Sequence, residues 1–401
     1  MRELKKFKIE GDKVKRDKKI LLIATVQSHI CQFHRPLVAM LHEHGCEVHV
    51  AARNNLAEKN GLKLDFVEQV FDVPFQRSPF SPKNLGAYKQ LKKIIDEGGY
   101  DVVHCNTPVG GVVGRLAARK SRKRGTKVFY TAHGFHFYKG APKKNWLIWY
   151  PVEKFMCRHT DKLITINEED YQLARSRFRV ETCHIHGVGV SMSRYHPHSA
   201  KEEEALRKEE SLSVQDFVVL CTGELNANKD QQTLIDAAAL CHDSIPELKV
   251  LLAGNGPLEP ALREQIAENH AEGYIRLLGY RTDLERVVPA ADVIVSCSHR
   301  EGLGLNLIEG MLCGKPVIAV ENRGHRELIE NCATGYLVPI GDSRTLAEKL
   351  VQIHDDGNQK ELGRAGYEKA QKYTSTFVEK ELEGIFELGV NHEICIHNST
   401  N

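Results

Sequence analysis

The 401-residue sequence lacks several features that would assign it to a common class of protein. No apolar run approaches the roughly 20 residues that a membrane-spanning helix needs, so no such helix is predicted. The eleven cysteines are scattered singly, without a C-x-x-C pair or a secretory leader, so we expect reduced thiols in the cytoplasm. The sequence also has no D-x-D triplet, no clustered His/Cys spacing and no G-x-S-x-G turn. We therefore expect neither metal-dependent nor acyl-transfer chemistry, and no metal or other cofactor.

The net charge of +2 conceals an uneven distribution. Residues 1–195 hold 35 Lys and Arg against 19 Asp and Glu, a net charge of +16, whereas the remainder holds 20 against 34, a net charge of −14. A basic half predicts contact with an anionic membrane or nucleic acid, unless the two halves pair with each other. The basic stretches contain no nucleic-acid-binding motif, so no nucleic acid partner is expected. The lysine-rich arm at 1–18 either touches anionic lipid or remains a solvated tail.

The length and the alternation of apolar strands with helices predict two α/β domains, each with its own core. The first opens with a buried strand at 19–25, a helix at 36–45 and a second strand at 46–52. This order is typical of a doubly wound sheet, in which ligands bind beyond the carboxyl ends of the strands. The loop at 26–34 lacks the G-x-G-x-x-G pattern, which argues against a dinucleotide. Near the end of the chain, an amphipathic pattern at 361–388 predicts one long helix.

The most informative stretch begins at Ser298 and reads SHREGLGLNLIEGMLCGKPVIAV. It predicts a glycine turn and a helix at 305–312, with a buried strand on either side. A helix that follows a glycine turn directs N–H groups and its positive dipole end beyond the strand, which favours a phosphate. Glu301 in the turn and Glu309 in the helix offer carboxylates that suit the vicinal hydroxyls of a sugar or a ribose. The alternative is a solvated helix that carries two acidic residues.

The pattern E-G-x-G-x-x-x-x-E, followed by G-K-P-V-I-A, resembles the nucleotide-sugar site of the family 4 glycosyltransferases, which are retaining enzymes. The first half resembles the bacterial capsule and exopolysaccharide branch of that family, in SHICQFHRP, FDVPFQRSPFSPKN, HCNTPVGG, TAHGFHFYKGAPKKNW and GVGV. The resemblance implies the α/β GT-B fold, in which two doubly wound Rossmann-like domains face a central cleft. The implied parts are a basic N-terminal arm (1–18), an acceptor-side domain (19–190), a linker (191–198), a nucleotide-sugar-binding domain (199–365), a C-terminal helix that crosses back to the first domain (366–390) and a tail (391–401).

The resemblance implies roles for residues of the second domain. Glu309 would bind the ribose hydroxyls, Glu301 a hydroxyl of the donor sugar and Lys229 the donor phosphates, so Glu301 and Lys229 are candidate catalytic residues. The other candidate donor-binding residues are Gly302, Leu303, Gly304, Leu305, Gly223, Asn226, Gly279, Tyr280, Arg281 and Arg300. Glu224 stands where family members have an arginine that clamps the pyrophosphate. Because a carboxylate cannot clamp a phosphate, Arg281 and Arg300 are candidate replacements.

The resemblance implies that the first domain faces the acceptor. His133 lies where a strand ends and a glycine turn begins, the position of a histidine in the family's cleft, and is a candidate catalytic residue. A neutral imidazole there can donate a hydrogen bond to a sugar hydroxyl or a phosphate. The other candidate acceptor-side residues are Ser28, His29, His34 and His136, the first three in a loop that usually carries glycines in the family. A structural role is the alternative for the histidines.

The resemblance, together with the basic first half of the chain, predicts a retaining glycosyltransferase that moves a sugar from a nucleotide sugar, expected to be a UDP-sugar, to a lipid-linked saccharide in capsule or exopolysaccharide synthesis. The departing phosphate would take the acceptor proton, without a metal. Two alternatives stay open: an isomerase similar to the GT-B-fold UDP-N-acetylglucosamine 2-epimerase, and a non-catalytic nucleotide- or polysaccharide-binding protein. Glu224 favours the second alternative, as does Ser191, which stands where the family usually has an aspartate.

Both tryptophans of the sequence, Trp146 and Trp149, lie among lysines in the segment 138–158. Indole rings beside ammonium groups suit a membrane interface. We therefore predict a cytoplasmic protein that contacts the anionic inner face of the cell membrane through Lys, Arg and Trp of its first half. The alternative is an ordinary amphipathic helix that packs on its own domain.

Overall fold

The computed structural model describes residues 9–10, 13–14, 18–59, 61–79 and 81–388. The described chain divides into two compact units. The first unit comprises the residues up to Val188 together with those from Glu379, and the second comprises Gly189–Val378. The predicted tail at 391–401 lies outside the described residues, as does most of the basic arm at 1–18.

The first unit is built on a parallel sheet. Its strands are β1 (Ile9–Glu10), β2 (Lys13–Val14), β3 (Lys19–Val26), β4 (Glu47–Arg53), β5 (Gln69–Asp72), β6 (Val102–Asn106), β7 (Lys127–Ala132), β8 (Lys162–Thr165) and β9 (Glu181–His184). β1 and β2 form an antiparallel pair, and the others form the sheet in the order β5-β4-β3-β6-β7-β8-β9. The run 20–24 of β3 is fully buried, which is typical of a parallel strand covered on both faces. The strand order reverses between β3 and β6, where a doubly wound sheet binds its ligands.

The helices of the first unit include one that the sequence did not predict. They are α1 (Gln27–Phe33), α2 (Arg35–Glu43), α3 (Asn84–Gly98), α4 (Pro108–Ala117), α5 (Arg119–Arg122), α6 (Lys143–Met156) and α7 (Glu168–Arg177). The prediction of a loop at 26–34 is wrong, because α1 occupies most of it. The side-chain oxygen of Asn55 accepts a hydrogen bond from the N–H of Ser28 at 3.1 Å, which satisfies a first-turn group that has no partner within the helix. Ile30 and Cys31 of α1 are buried in the core.

The second unit has the same doubly wound design. Its strands are β10 (Phe217–Thr222), β11 (Leu248–Ala253), β12 (Ile275–Gly279), β13 (Val293–Ser296), β14 (Val317–Val320) and β15 (Tyr336–Val338). They form a parallel sheet in the order β12-β11-β10-β13-β14-β15, which reverses between β10 and β13. The predicted α/β architecture of two doubly wound sheets is therefore confirmed.

The remaining helices show where the long C-terminal pattern breaks. They are α8 (Ala200–Glu209), α9 (Gln231–Cys241), α10 (Glu259–Glu268), α11 (Leu284–Val287), α12 (Leu305–Leu312), α13 (Arg323–Leu328), α14 (Ser343–Asp356), α15 (Gln359–Ala370) and α16 (Ser375–Phe386). The single helix predicted over 361–388, and with it the continuous helix at 366–390, is wrong. The backbone is extended at Thr374, where the N–H of Val190 donates to the oxygen of Tyr373 and the N–H of Ser375 donates to the oxygen of Val190, both at 2.9 Å. These backbone groups pair with a distant segment instead of continuing the helix.

Helix α6 carries both tryptophans. The indole N–H of Trp146 donates to the backbone oxygen of Tyr138 at 3.2 Å, and the ring of Trp149 stacks on His136 with the centroids 4.8 Å apart. Both indoles therefore pack on their own unit, which is the alternative that the sequence left open. Among the described helices, none combines the length and the apolar character needed to cross a bilayer.

Candidate active site

The candidate donor site lies at the carboxyl ends of β10 and β13, where the strand order of the second unit reverses. Hydrogen bonds join the loops that follow these two strands. The N–H of His299 donates to the backbone oxygen of Asn228 at 2.8 Å, and the side-chain amide of Asn228 donates to the oxygen of Arg300 at 3.1 Å. The ring of His299 also lies 2.8 Å from a carboxylate oxygen of Asp230. The two loops are therefore fixed to each other before a ligand binds.

An ion pair between Lys229 and Glu301 connects the same loops. The Nζ atom of Lys229 lies 2.6 Å from Oε1 of Glu301, and the two side chains are 25% and 17% exposed. Asn226 holds the lysine in place, because its side-chain oxygen accepts a hydrogen bond from the N–H of Lys229 at 3.0 Å. The pair is shielded yet accessible, so a phosphate can take over the ammonium while a hydroxyl takes over the carboxylate.

Glycines allow the turns beneath Lys229 to approach closely. Gly254 has a φ of +156°, and a Cβ there would lie 1.9 Å from the carbonyl oxygen of Gly223. Gly223 itself has a φ of +152°, and its missing Cβ leaves room for the stem of Lys229, whose Cε would lie only 3.3 Å away. A side chain at Gly254 would displace the Gly223 turn, and one at Gly223 would crowd the stem of Lys229, so both glycines support the placement of the lysine.

Glu309 lies on α12, the helix that the sequence predicted with the same ends. This helix begins at Leu305 without a side-chain cap, so its first N–H groups are not taken by a capping side chain. Burial raises the pKa of Glu309 to about 7, although the hydrogen bond from Tyr195 and the positive charge of Arg194 lower it. A carboxylate that has already lost much of its hydration would gain strongly from ligand hydroxyl groups that donate hydrogen bonds to it. Tyr195 and Arg194 belong to the predicted linker, and no pattern in the sequence indicates their proximity to Glu309.

Helix α13 brings further residues to the Glu301 turn that the sequence did not assign to the site. Gly324 packs so closely there that a Cβ would lie 3.0 Å from both the Cβ of Glu301 and the nitrogen of Leu303. Arg323 is buried, and its Nε donates to the backbone oxygen of Glu301 at 3.3 Å. His325 is fully buried, and burial lowers its pKa to about 4. The sequence signal for this helix is the G-x-x-E pattern at 324–327, which begins with Gly324.

A histidine cluster occupies the corresponding edge of the first unit. His29 lies on α1, the helix that follows β3, and His34 lies directly after this helix. His133 directly follows β7. One ring nitrogen of each lies within 4.8 Å of those of the other two. Burial lowers the pKa of His133 to about 4 and the pKa values of His29 and His34 well below their usual range. These imidazoles are therefore neutral near pH 7 and act as hydrogen-bonding groups or ligands, not as cations.

Two family models match most of the chain. Residues 202–372 match the model for glycosyl transferases group 1, and residues 19–167 match the model for glycosyl transferase 4-like proteins. A protein of Bacillus subtilis (strain 168) named EpsD is 45% identical over 372 residues, which cover 92% of this chain and 96% of that protein. The chain therefore belongs to the family 4 glycosyltransferases, the family that the sequence resembles.

Other similar proteins extend the comparison. The UDP-Gal:alpha-D-GlcNAc-diphosphoundecaprenol alpha-1,3-galactosyltransferase of Escherichia coli is 26% identical over 312 residues, which cover 76% of this chain and 80% of that protein. HepE of Anabaena, crystallised with UDP and glucose, matches with a TM-score of 0.76 and 22% identity over 92% of this chain and 99% of its own. The sucrose-phosphate synthase of Thermosynechococcus elongatus matches with a TM-score of 0.75 and 20% identity over 93% and 98%. These structural matches confirm the GT-B fold of the glycosyltransferase.

The glycosyltransferase already uses Arg281 in its own structure. The Arg281 guanidinium donates to Glu210 at 2.7 Å and to Asp283 at 2.8 Å, which argues against its predicted role as a phosphate clamp. Arg300 is exposed on the loop that carries Glu301, so of the two candidates it is the one open to a ligand. Glu224 is exposed as well. The carboxylate that pairs with Lys229 is that of Glu301.

Four other predicted residues of the glycosyltransferase have clear placements. Gly279, with a φ of +68°, precedes Tyr280, and its oxygen accepts a hydrogen bond from the Gly254 N–H at 2.8 Å, so the turn after β12 adjoins the turn after β11. Ser28 is buried, and its hydroxyl accepts a hydrogen bond from the amide of Asn55 at 2.9 Å. Its hydroxyl thus has a protein partner. His136 stacks on α6 and lies outside the histidine cluster.

Proposed function

We propose that the enzyme transfers a sugar, with retention of configuration, from a UDP-sugar to a lipid-linked saccharide during capsule or exopolysaccharide synthesis. The Lys229–Glu301 pair carries this proposal, because it offers a cation for phosphates and a carboxylate for sugar hydroxyls. Both lie at the switch point of the sheet, where the strand order reverses between β10 and β13. The name of the Escherichia coli relative, which specifies UDP-Gal and a diphosphoundecaprenol-linked sugar, supports both substrate classes. The UDP and glucose held by HepE of Anabaena support the same donor class.

In the proposed donor complex, Glu309 accepts hydrogen bonds from the two ribose hydroxyls, and Glu301 accepts one from the donor sugar. The N–H groups from Gly302 to Leu305, at the start of α12, face the diphosphate together with the ammonium of Lys229. This arrangement is supported by the uncapped start of α12 and by the stem of Lys229 over Gly223. His133, with His29 and His34, lies on the acceptor side.

The proposed transfer is a front-face substitution. The bond between the anomeric carbon and the phosphate oxygen breaks, and the acceptor oxygen bonds to the same face of that carbon. The departing phosphate oxygen takes the proton of the acceptor hydroxyl, so the leaving UDP itself acts as the base. Lys229 and the N–H groups of α12 stabilise the charge that builds on the phosphate, the kind of stabilisation that often supplies most of an enzyme's rate. Because the protein supplies this positive charge, the transfer needs no metal ion at the donor site.

Titration calorimetry with UDP and a panel of UDP-sugars tests the donor site. Wild type is expected to bind one UDP-sugar selectively, and Glu309→Ala is expected to bind it at least about 10- to 150-fold more weakly, since the loss of even one hydrogen bond to a charged group has an effect of this size. Glu348→Ala is the matched control, because Glu348 is an exposed glutamate on α14 of the same unit. Absence of nucleotide binding by folded wild type would refute the proposal. Turnover with a lipid-linked saccharide separates a transferase from an isomerase or a binding protein.

We also propose that α6 contacts the anionic inner face of the cell membrane. Its exposed residues recur every three or four positions and form one stripe, namely Lys143, Lys144, Leu147, Ile148, Pro151, Lys154 and Phe155. Leu147 is 76% exposed and Phe155 is 50% exposed, which is unusual for side chains of their size. Apolar side chains flanked by lysines are typical of a helix that lies in a bilayer interface and pairs with lipid phosphates.

Sedimentation with lipid vesicles tests this contact. Wild type is expected to bind vesicles that contain phosphatidylglycerol, and a double variant with Leu147→Glu and Phe155→Glu is expected to lose at least about 10-fold in affinity, since it removes apolar area and adds negative charge. Leu240→Glu is the control, because Leu240 on α9 is 59% exposed in the second unit. Unchanged binding by the double variant would refute the contact. A wild-type dimer that the double variant abolishes, without vesicle binding, would assign the stripe to a second copy of the chain.

A further inference from the structure

The imidazoles of His29, His34 and His133 converge in the first unit. One ring nitrogen of each lies within 4.8 Å of the others, although the three residues come from two separate parts of the chain. The rings of His29 and His133 meet edge to face with their centroids 4.8 Å apart, and those of His34 and His133 with theirs 5.6 Å apart. The group lies beyond strands near the switch point between β3 and β6, where this kind of sheet places ligands.

Two of these imidazoles have a buried nitrogen that lacks a partner. Within the part of the chain that the structure describes, neither the Nε2 of His29 nor the Nε2 of His34 makes a hydrogen bond. His34 is only 4% exposed, so bulk water does not replace the missing partner. A buried polar atom without a hydrogen bond costs about 1–3 kcal/mol, and such atoms are rare in folded proteins unless an ion or another group satisfies them.

His133 has the outer hydrogen bond that metal-bound histidines commonly have. Its Nε2 lies 3.1 Å from the side-chain oxygen of Asn106, at the end of β6, and a carbonyl oxygen can only accept the proton of an N–H group. The other ring nitrogen, Nδ1, then keeps its lone pair. The hydrogen bond thus fixes both the tautomer and the orientation of the ring, as the outer partners of metal-bound histidines do.

We propose that His29, His34 and His133 bind a divalent transition metal ion of the zinc class, with a fourth position open to water or another oxygen ligand. Neutral imidazole suits Zn²⁺, Co²⁺ and related ions, whereas Mg²⁺ and Ca²⁺ require oxygen ligands. Among the described residues, no carboxylate joins this group. With Zn–N bonds of about 2.0–2.1 Å, tetrahedral ligand atoms lie about 3.3 Å apart, so small rotations of the rings would close the site. The proposal does not depend on the donor chemistry of the second unit.

Binding of Co²⁺ tests the site directly, with a protein that carries no polyhistidine tag and has been freed of metal by a chelator. Wild type is expected to bind one equivalent with a visible absorption band that Zn²⁺ abolishes. The variants His29→Gln, His34→Gln and His133→Gln are each expected to weaken binding by more than about 100-fold, because loss of an outer partner alone costs about 10–100-fold. His136→Gln is the matched control, since His136 lies in the same unit but outside the cluster, and it is expected to bind like wild type.

Thermal unfolding separates loss of the site from loss of the fold. Zn²⁺ is expected to raise the unfolding temperature of wild type and of His136→Gln, but not of the three ligand variants. An ion stabilises the native state only of a protein that binds it. Asn106→Ala keeps all three ligands and is expected to bind Co²⁺ about 10–100-fold more weakly. Two results would overturn the proposal: folded wild type that binds no Co²⁺ at millimolar concentration, or folded ligand variants that bind it like wild type.

Discussion

Lys229 is positioned by three different kinds of contact. The side chain of Asn226 accepts a hydrogen bond from its N–H, Gly223 leaves room for its stem, and Glu301 forms an ion pair with its ammonium. Without a substrate, the ion pair satisfies both partly buried charges. In the proposed donor complex, the UDP-sugar replaces each partner with a ligand group, a phosphate for the ammonium and a hydroxyl for the carboxylate. The site is therefore organised in advance, and little reorganisation is needed when the leaving group becomes charged.

Replacement of Lys229 by methionine keeps the stem and removes the charge. We expect Lys229→Met to lower kcat/KM for sugar transfer by about 10²- to 10³-fold, comparable to the loss of one preorganised group that stabilises a transition-state charge. Steady-state kinetics with the preferred donor measure this effect. Lys208→Met is the control, because the Lys208 side chain is 71% exposed on α8. A value of kcat/KM within threefold of wild type in Lys229→Met would contradict the role of the ammonium.

The raised pKa of Glu309 predicts a stability that depends on pH. Burial moves the pKa of this carboxyl from 4.5 to about 7, so the folded state holds the proton more tightly than the unfolded state. Stability from this group is therefore fully present below pH 4.5 and is lost as the pH rises towards 7. In Glu309→Gln this loss is absent, so we expect the variant to be more stable than wild type at pH 8 by about 1–3 kcal/mol, and equal to it only below the unfolded pKa of 4.5.

Thermal unfolding of both proteins, from a pH below 4.5 up to a pH well above 7, measures this difference. Glu348→Gln on α14 is the control, because an exposed carboxyl should leave the pH profile of wild type unchanged. If Glu309→Gln and wild type lose stability in parallel as the pH rises, the Glu309 carboxyl does not hold its proton in the free enzyme. A more stable variant that binds UDP less well would show that this position trades stability for ligand binding.

Elements with a strong local pattern were predicted well. The segment β13–α12–β14 is confirmed because its apolar strands, the turn before α12 and Gly314 after it, with a φ of +73°, decide its structure within a short window. The break between α15 and α16 was missed because Val190, far away in the sequence, pairs with the backbone beside Thr374. The apolar periodicity continues through that break, so periodicity alone could not reveal it.

The parts of the candidate sites that the sequence did not reveal depend on contacts between distant segments. The two glutamates and the glycines between them stand in one recognisable pattern at 301–309, whereas Lys229 ends a separate glycine turn that begins at Gly223. Tyr195 reaches Glu309 from the predicted linker, and His133 meets His29 from another strand of the sheet. No spacing rule connects such residues, since strand order brings them together only in the folded sheet.

The contact between α13 and the Glu301 turn gives a test at the scale of elements. A Cβ at Gly324 would lie 3.0 Å from the Cβ of Glu301 and 3.0 Å from the nitrogen of Leu303, so Gly324→Ala must push the turn away. We expect a loss of about 1–3 kcal/mol in stability from overpacking and a fall in kcat/KM beyond that of other destabilised variants. Gly86→Ala is the control, because Gly86 on α3 has open space around it and an alanine there should be neutral or stabilising. Full activity in Gly324→Ala would show that the turn tolerates displacement.

The whole molecule divides its charge, with +16 on residues 1–195 and −14 on the remainder. Attraction of a basic half to an anionic bilayer acts over a distance and is screened by salt, because the Debye length falls from about 10 Å at 0.1 M to about 3 Å at 1 M. The bonds proposed for UDP are short and partly shielded, so they depend less on salt.

Between 0.05 M and 0.5 M salt, we therefore expect affinity for phosphatidylglycerol vesicles to fall at least about 10-fold, while affinity for UDP changes less than about threefold. Vesicles of phosphatidylcholine alone are the control and should bind weakly at every salt concentration. Vesicle binding that is insensitive to salt would mean that the apolar stripe of α6 acts without the surrounding cations, and a parallel fall of both affinities would mean that the donor site is more exposed than its ion pair indicates.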